Sequence, residues 1–313
     1  MEKIVITGAL GYIGVELCKL YFSETGDKNI VAIDNRFTSE RVKILRDNEI
    51  NFINGDVLDE SLMKDILKDS DKVYHLAGIT DVAYTKFESN EGKDLEIRKN
   101  GIQGTLNIIN SVPKHCKLIF PSTHVVYEGV EDIFNIEEDY PTKTLLTYAT
   151  QKRMSEIDIK NSNIDNIIVR LGSVYGYSND TTRMNIMPQL FSKIASQCGK
   201  ITLTGGSNFK SMVSLLDVAR AMKFLAESDL KNETYHLISE SMTIRDVANI
   251  CKKYSPKVTI EEALDKAYSP NYTLSNKKLL STGFKFQHDV DSSIKDMIYN
   301  WTSIENRKYI DGL

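Results

Sequence analysis

The chain has 313 residues, 41% hydrophobic and 26% charged, with a formal net charge of −4. That is the composition of a globular protein large enough for two lobes. The small acidic excess, with no basic stretch interleaved with aromatics, excludes nucleic acid and membrane surfaces as expected partners. The opening Met1-Glu2-Lys3-Ile4-Val5-Ile6 is too short, and too soon broken by glycine, to read as a signal peptide or a membrane span. Cys18, Cys116, Cys198 and Cys251 are scattered, and the histidines do not cluster with them. They read as reduced thiols of a cytoplasmic protein with no metal site.

Apolar, β-branched runs at 3–7, 30–34, 51–54, 72–76, 117–121 and 166–171 predict buried strands. Amphipathic stretches at 14–24, 60–68 and 104–112 lie between them. This alternation predicts an α/β fold: a doubly wound parallel (Rossmann) sheet with helices on both faces. After about Gly172 the rhythm weakens. A loop-rich stretch over 177–209 holds one helix near 187–196, followed by a helix at 216–227, a strand at 234–238 and a helix at 243–254. The expected division is a cofactor domain from 1–171 and about 212–240, with a smaller, mostly C-terminal substrate lobe from about 172–211 and 241–313.

Chemistry-bearing residues sit at the ends of these strands. Gly8, Gly11 and Gly14 follow the first strand and open a helix. Glycines there allow a tight turn and let backbone N–H groups reach a pyrophosphate at the helix N-terminus. Asp34 ends the second strand, 20 residues after Gly14, where a carboxylate can accept both ribose hydroxyls of NAD and repel a 2′-phosphate. Arg36 softens that preference, so NADP stays open. Gly55-Asp56-Val57 follows the third strand, and His75-Leu76-Ala77-Gly78 ends the fourth with small residues for a cofactor to pass over. His75 reads as a packed core histidine.

Ser122-Thr123 closes the next apolar run, and Tyr148 and Lys152 are one helical turn apart. A cation beside the phenol favours the phenolate, which makes a general base for an alcohol. With 15 tyrosines and 39 basic residues, about two such pairs arise by chance. The pair gains weight from its company.

In order, these pieces run Thr7 to Gly14, Asp34-Asn35, Gly55-Asp56-Val57, His75 to Gly78, Asn100-x-x-x-Gly104-Thr105, Ser122-Thr123-x-x-Val126-Tyr127, Tyr148-x-x-x-Lys152 and Val169-Arg170-x-x-x-Val174-Tyr175-Gly176. Leu216-Asp217-Val218-Ala219 and Ser275-Asn276-Lys277 match more loosely. Over nearly its whole length the chain resembles the extended short-chain dehydrogenases/reductases, in the NAD-dependent sugar epimerase/dehydratase branch, and its 4-epimerases in particular. The resemblance implies that Tyr148 takes a proton from a sugar hydroxyl, Lys152 lowers the tyrosine pKa and bonds the nicotinamide ribose, and Thr123 shares the proton. It implies NAD held by Gly8, Gly11, Tyr12, Ile13, Asp34, Asn35, Asp56, Val57, Leu76, Ala77, Gly78 and Asn100, together with Tyr148 and Lys152.

The substrate side departs from the pattern. The sugar 4,6-dehydratases carry Asp and Glu after the Ser/Thr; here these are His124 and Val125, so water elimination by that route is not expected. Ser173 stands where the family commonly has Asn, and Lys210 where it has the Arg that clamps the diphosphate. Lysine offers a point charge without the bidentate fork. A second Arg expected near 264 is absent, with Lys266 the nearest cation and Arg183 able to compensate. Asn185 matches a substrate-contacting asparagine. The expected substrate residues are thus Thr123, His124, Ser173, Asn185 and Lys210. The implied activity is NAD-dependent epimerisation of a nucleotide-activated sugar at C4 through a transient keto intermediate. The alternatives are an NAD(P)H-dependent reductase or dehydrogenase of a keto sugar or other small alcohol, and a non-catalytic cofactor-binding protein, which the intact Thr123, Tyr148 and Lys152 oppose. A homodimer is implied through the helix beginning near Leu146 and the one over 104–112.

Overall fold

The isoleucine- and valine-rich runs become one seven-stranded parallel sheet, ordered Glu233–Leu237, Asp165–Leu171, Lys117–Thr123, Lys72–His75, Lys3–Thr7, Asn29–Asp34 and Asn51–Asn54. This computed structural model describes residues 1–24, 29–80, 91–178, 184, 186–263 and 270–303. The inner strands are apolar without alternation because helices cover both faces; Ile4, Val5 and Ile6 are all fully buried. Thr7 lies in register with Ile33 on one side and His75 on the other. The strand order reverses between Lys3–Thr7 and Lys72–His75. A crevice therefore opens at their carboxyl ends, where doubly wound sheets take their ligands.

The first helix, Tyr12–Glu24, starts two residues earlier than its apolar pattern suggests. The glycine turn closes into it directly: the Gly11 N–H donates to the Gly8 carbonyl at 3.0 Å and the Val15 N–H to the Gly11 carbonyl at 3.1 Å. Helix Ser39–Asp47 was not visible in the pattern because only Val42 and Leu45 face the core. Glu60–Leu67 is capped by Asp59, whose carboxylate accepts the Leu62 N–H at 3.0 Å. Helix Glu91–Arg98 runs through a π-turn at Lys99–Gln103 into Gly104–Ser111. Helix Thr147–Asn161 carries Tyr148 and Lys152.

The chain divides into two compact units, one of residues 1–129, 142–170 and 219–235, the other of 130–141, 171–218 and 236–313. The second unit has its own core, with Phe191, Ile201, Leu203, Met212, Val247, Ile294 and Met297 packed together. Helices Met187–Ser196, Ile244–Tyr254 and Val290–Trp301 supply most of it. Its strands are short. Ser173–Tyr175, Phe209–Ser214 and Glu240–Thr243 form one sheet; Lys200–Leu203 pairs with Thr259–Glu262, and Ile133–Ile136 with Tyr272–Leu274. Strand Lys200–Leu203 interrupts the stretch that the sequence left as loop. Buried Asp217, in one of the looser motif matches, accepts the backbone N–H groups of Gln287 and His288 at 3.0 and 2.9 Å. It thereby pins the segment leading into Val290–Trp301. Among the described residues no helix is long and apolar enough to cross a membrane.

Candidate active site

The crevice is built by the turns after three adjacent strands. Gly8 has φ +68°, a conformation that L side chains rarely adopt. A Cβ there would sit 2.7 Å from the Ala77 nitrogen and 2.8 Å from the Leu76 carbonyl carbon. The two turns thus approach backbone to backbone, and only glycine permits it. A Cβ on Gly14 would lie 2.7 Å from the Ala9 Cα, so the helix seats directly on the loop. Tyr12 is buried and Ile13 half-buried in its first turn. This close-packed glycine turn at a helix N-terminus fits a dinucleotide pyrophosphate. Gly8→Ala is expected to cost about 2 kcal/mol or more, from backbone strain plus overlap. Thermal unfolding with and without NAD checks it, and a variant as stable as the parent would remove the strain argument.

Asp34 is half-buried and oriented from both sides. One carboxylate oxygen accepts the Leu10 N–H at 2.9 Å and the other accepts the Arg36 N–H at 3.0 Å. Arg41 donates to the Leu10 carbonyl at 2.6 Å, which fixes the same loop from helix Ser39–Asp47. The Asn35 amide donates to Asp56 at 3.1 Å, and Asp56 also accepts the Leu58 N–H at 2.9 Å. Val57 is buried; its carbonyl accepts from Asn107 at 2.9 Å, and its side chain occupies the space a Cβ on Gly104 would need. Leu76 and Ala77 are half-buried and Gly78 is exposed. Asn100 lies in the π-turn with its amide on the Glu96 carbonyl at 3.0 Å.

The base helix packs on the end of strand Lys117–Thr123. Tyr148 and Lys152 are both buried on its inner face. The Lys152 ammonium donates to the Pro121 carbonyl at 2.8 Å and stands 4.4 Å from the centre of the Phe120 ring. These contacts hold it two to three residues from Thr123. Burial lowers the Lys152 pKa to about 8, and the Glu156 charge holds it up against a further fall. The Thr123 oxygen accepts the Val125 N–H at 3.2 Å, capping the short turn His124–Tyr127. That bond leaves the hydroxyl hydrogen uncommitted. His124 is buried within the turn.

One turn beyond Lys152, the sequence reading missed a buried ion pair. Glu156 and Arg170 are 0% and 2% exposed. Arg170 meets the carboxylate with Nε at 2.9 Å and Nη2 at 2.7 Å, a bidentate fork. Ser122, beside Thr123, donates to the same carboxylate at 2.5 Å, and Arg153 adds a bond at 3.2 Å. Arg170 also donates to the Tyr127 hydroxyl. Burial pushes the Glu156 carboxyl up, but the Arg170 bonds and charge, with Ser122 and Arg153, outweigh it and hold it below the usual range. The cluster locks helix Thr147–Asn161, strand Lys117–Thr123 and the turn after Thr123 into one frame. A Glu four residues after Lys152 on the same face was the available signal.

Of the remaining predicted residues, Ser173 begins strand Ser173–Tyr175 and Lys210 lies in strand Phe209–Ser214, both half-buried in the second unit. The Lys210 ammonium donates to the Pro270 carbonyl at 3.0 Å. Asn185, like Arg183 and Lys266, lies outside the described residues.

Comparison with known proteins gives a consistent picture. The profile of the NAD dependent epimerase/dehydratase family matches residues 4–237. The chain is 26% identical to the UDP-glucose 4-epimerase of Mycoplasma genitalium, across 99% of this chain and 98% of that protein. Among solved structures it is similar to a UDP-glucose 4-epimerase from Thermotoga maritima, with TM-score 0.81 and 21% identity over 95% of this chain and 97% of that one. A UDP-glucuronic acid 4-epimerase from Bacillus cereus gives TM-score 0.79 and 22% identity over 96% and 98%. At those identities the structural likeness carries the fold.

Proposed function

The chain belongs to the NAD dependent epimerase/dehydratase family, and on that premise we propose that it epimerises a nucleotide-activated sugar, at C4, through a transient keto intermediate. The observation that carries this reading is the buried base helix. Tyr148 and Lys152 share one face of it, and Lys152 is fixed on the strand that ends in Thr123. The 4-epimerase named in the full-length relative supports the stereocentre.

The cofactor is NAD, held by the Gly8–Gly14 turn, Asp34, Asn35, Asp56, Val57 and the Leu76–Gly78 turn, with Asn100 and the base helix at its nicotinamide end. Both Asp34 oxygens are braced on backbone N–H groups, which keeps a negative charge where a 2′-phosphate would have to sit. When bound, NAD supplies the acceptor and then the donor of a hydride at the sugar carbon. Tyr148 takes the proton of the sugar hydroxyl and gives it back on the return. The Lys152 ammonium stabilises the phenolate between those steps. Thr123 keeps its hydroxyl hydrogen for the same sugar oxygen. His124 and Val125 stand where an eliminating enzyme would carry its acid and base, which favours epimerisation over dehydration. His124, Ser173, Asn185 and Lys210 are proposed to contact the substrate.

The test is an NMR assay of purified protein with catalytic NAD and a panel of UDP-, dTDP-, GDP- and CDP-hexoses. A new epimer at constant total sugar, without net NADH, is the expected result. Oxidation of added NADH or NADPH by keto sugars, without an epimer, would favour the reductase reading instead.

We also propose a homodimer in a cytoplasmic setting, through helix Thr147–Asn161 and, in place of the largely buried helix Gly104–Ser111 that the sequence suggested, helix Glu91–Arg98, which leads into it through the π-turn. Leu95, Met154 and Ile157 are 69%, 46% and 42% exposed on these helices, and apolar side chains at such spacing suit a partner helix. Replacing both Met154 and Ile157 with Glu is expected to give monomers in light scattering after size exclusion. A dimer that survives would place the interface elsewhere.

A further inference from the structure

A chain of buried hydrogen bonds runs under the crevice, and the chemistry just proposed does not use it. The Ala77 N–H donates to the Thr7 hydroxyl oxygen at 3.2 Å. That hydroxyl meets His75 Nδ1 at 3.0 Å, and His75 Nε2 meets the Thr105 hydroxyl at 3.2 Å. Thr105 donates to the Gly101 carbonyl at 2.6 Å, and Ser155 of the base helix lies 3.1 Å from Thr105 and 3.2 Å from the same carbonyl. Thr7, His75, Thr105 and Ser155 are all essentially inaccessible.

The proton positions follow from counting donors. Thr105 has one hydroxyl hydrogen and spends it on Gly101. It must therefore accept from His75, so Nε2 carries the imidazole proton. Nδ1 is then an acceptor and takes the Thr7 hydroxyl hydrogen, which leaves the Thr7 oxygen for the Ala77 N–H. Each link from Ala77 to Gly101 then has one donor and one acceptor, and Ser155 joins through its own bond to the Gly101 carbonyl. A second proton on the ring would face the Thr7 hydroxyl and force its hydrogen away.

Gly101 sits in the π-turn, and its carbonyl, which takes the Gly104 N–H, also accepts from the Thr105 and Ser155 hydroxyls. A Cβ on Gly101 would also overlap the Gln151 side chain, so the π-turn and the base helix are in direct contact beside Lys152.

Resting on the cofactor assignment above, we propose that His75 is a positioning residue. As a neutral Nε2–H imidazole it ties the Leu76–Gly78 turn, on which the cofactor lies, to the π-turn and the helix that carries Tyr148 and Lys152. One leg, through Thr7 and Ala77, sets the crevice floor. The other, through Thr105 and Ser155, sets the base helix. Full burial, and then the Lys152 charge, push the His75 pKa down to about 3, in line with a ring that stays neutral at every working pH. The Phe120 ring, 5.8 Å away, covers it on the strand side.

The two legs can be cut separately. Asn places its amide near the Nδ1 position and can keep the Thr7 leg; Gln reaches the Nε2 position and can keep the Thr105 leg. The experiment uses the full chain and reads NADH affinity by fluorescence titration, with turnover read separately. His75→Gln is expected to weaken NADH binding about tenfold, the effect of one buried hydrogen bond left unmade. His75→Asn is expected to keep affinity within about twofold and to lose turnover instead. Equal losses of affinity in both would overturn the proposal, because a merely structural histidine has no reason to split them. The 15N shifts of His75 in the parent protein decide the case even if a variant fails to fold. An Nε2-protonated neutral ring unchanged from about pH 5 to 8 supports the assignment, and titration or the opposite tautomer overturns it. A parent protein that binds no NADH would overturn the cofactor reading and this one with it, an outcome distinct from a lost split.

Discussion

Replacing Tyr148 with Phe is expected to lower turnover about a thousandfold, within the span assigned to a positioned general acid or base, while leaving NAD bound and the fold intact. The reasoning is geometric. Tyr148 is buried in the first turn of helix Thr147–Asn161. Its ring fills space that Phe fills equally, so packing is kept and only the hydroxyl is lost. The crevice contacts at Gly8, Asp34 and Asp56 are made elsewhere and do not change. Affinity for NADH should therefore match the parent while kcat collapses and KM moves little. That pattern marks an interaction made in the transition state alone. A variant that turns over at the parent rate would sink the assignment of the base. One that loses NADH affinity in proportion would mean that Tyr148 serves the cofactor more than the chemistry.

What could be read from the sequence, and what could not, follows the range of the interactions. Five of the six strands read in the first half announce themselves as apolar runs because they are buried; Asn51–Asn54, expected to be buried as well, is the edge strand and stays exposed at both ends and half-buried between, and the ends of all six fall within two residues of the reading. The glycine turn, Asp34 and the Tyr148/Lys152 pair are local patterns with local reasons. The second unit was harder. Its strands are only three to six residues long, too short for a hydrophobic run to stand out, and Thr259–Glu262 is largely exposed. The supporting contacts of the site were harder still. His75 and Thr105 are 30 positions apart, and Thr105 and Ser155 are 50. His75 was read as core packing, which its burial bears out, but no spacing rule shows that its two nitrogens face two hydroxyls. Arg170 stood in a matched motif, yet its partnership with Glu156 appears only when strand Asp165–Leu171 is laid beside the base helix.

Lys152→Met is expected to do two opposite things at once: remove most of the activity and stabilise the protein at pH 7. The activity falls because the phenolate of Tyr148 loses its cation. The stability rises because an ammonium is being held in a place that does not suit it. Lys152 is 7% exposed, and burial brings its pKa from 10.5 to about 8. The folded-state pKa lies below the unfolded one, so between about pH 8 and 10.4 the unfolded chain binds more protons and stability climbs with pH. Below about pH 8 both states are protonated and the full penalty is present. At about 1.4 kcal/mol per unit, the penalty is on the order of 3 kcal/mol. The lost Pro121 hydrogen bond and Phe120 ring contact offset about 1 kcal/mol of what methionine regains. A net gain of about 2 kcal/mol at pH 7 is the expected result in denaturant unfolding, shrinking as the pH approaches 10. If the variant is instead less stable at pH 7, the ammonium is better compensated than its surroundings indicate, and Glu156 with the Pro121 carbonyl must be doing more than orienting it. If the gain is present and does not shrink with pH, it comes from packing, and Lys152 titrates close to its ordinary value. Only a gain that fades toward pH 10, together with lost turnover, fits a cation kept at a cost because the Tyr148 base requires it.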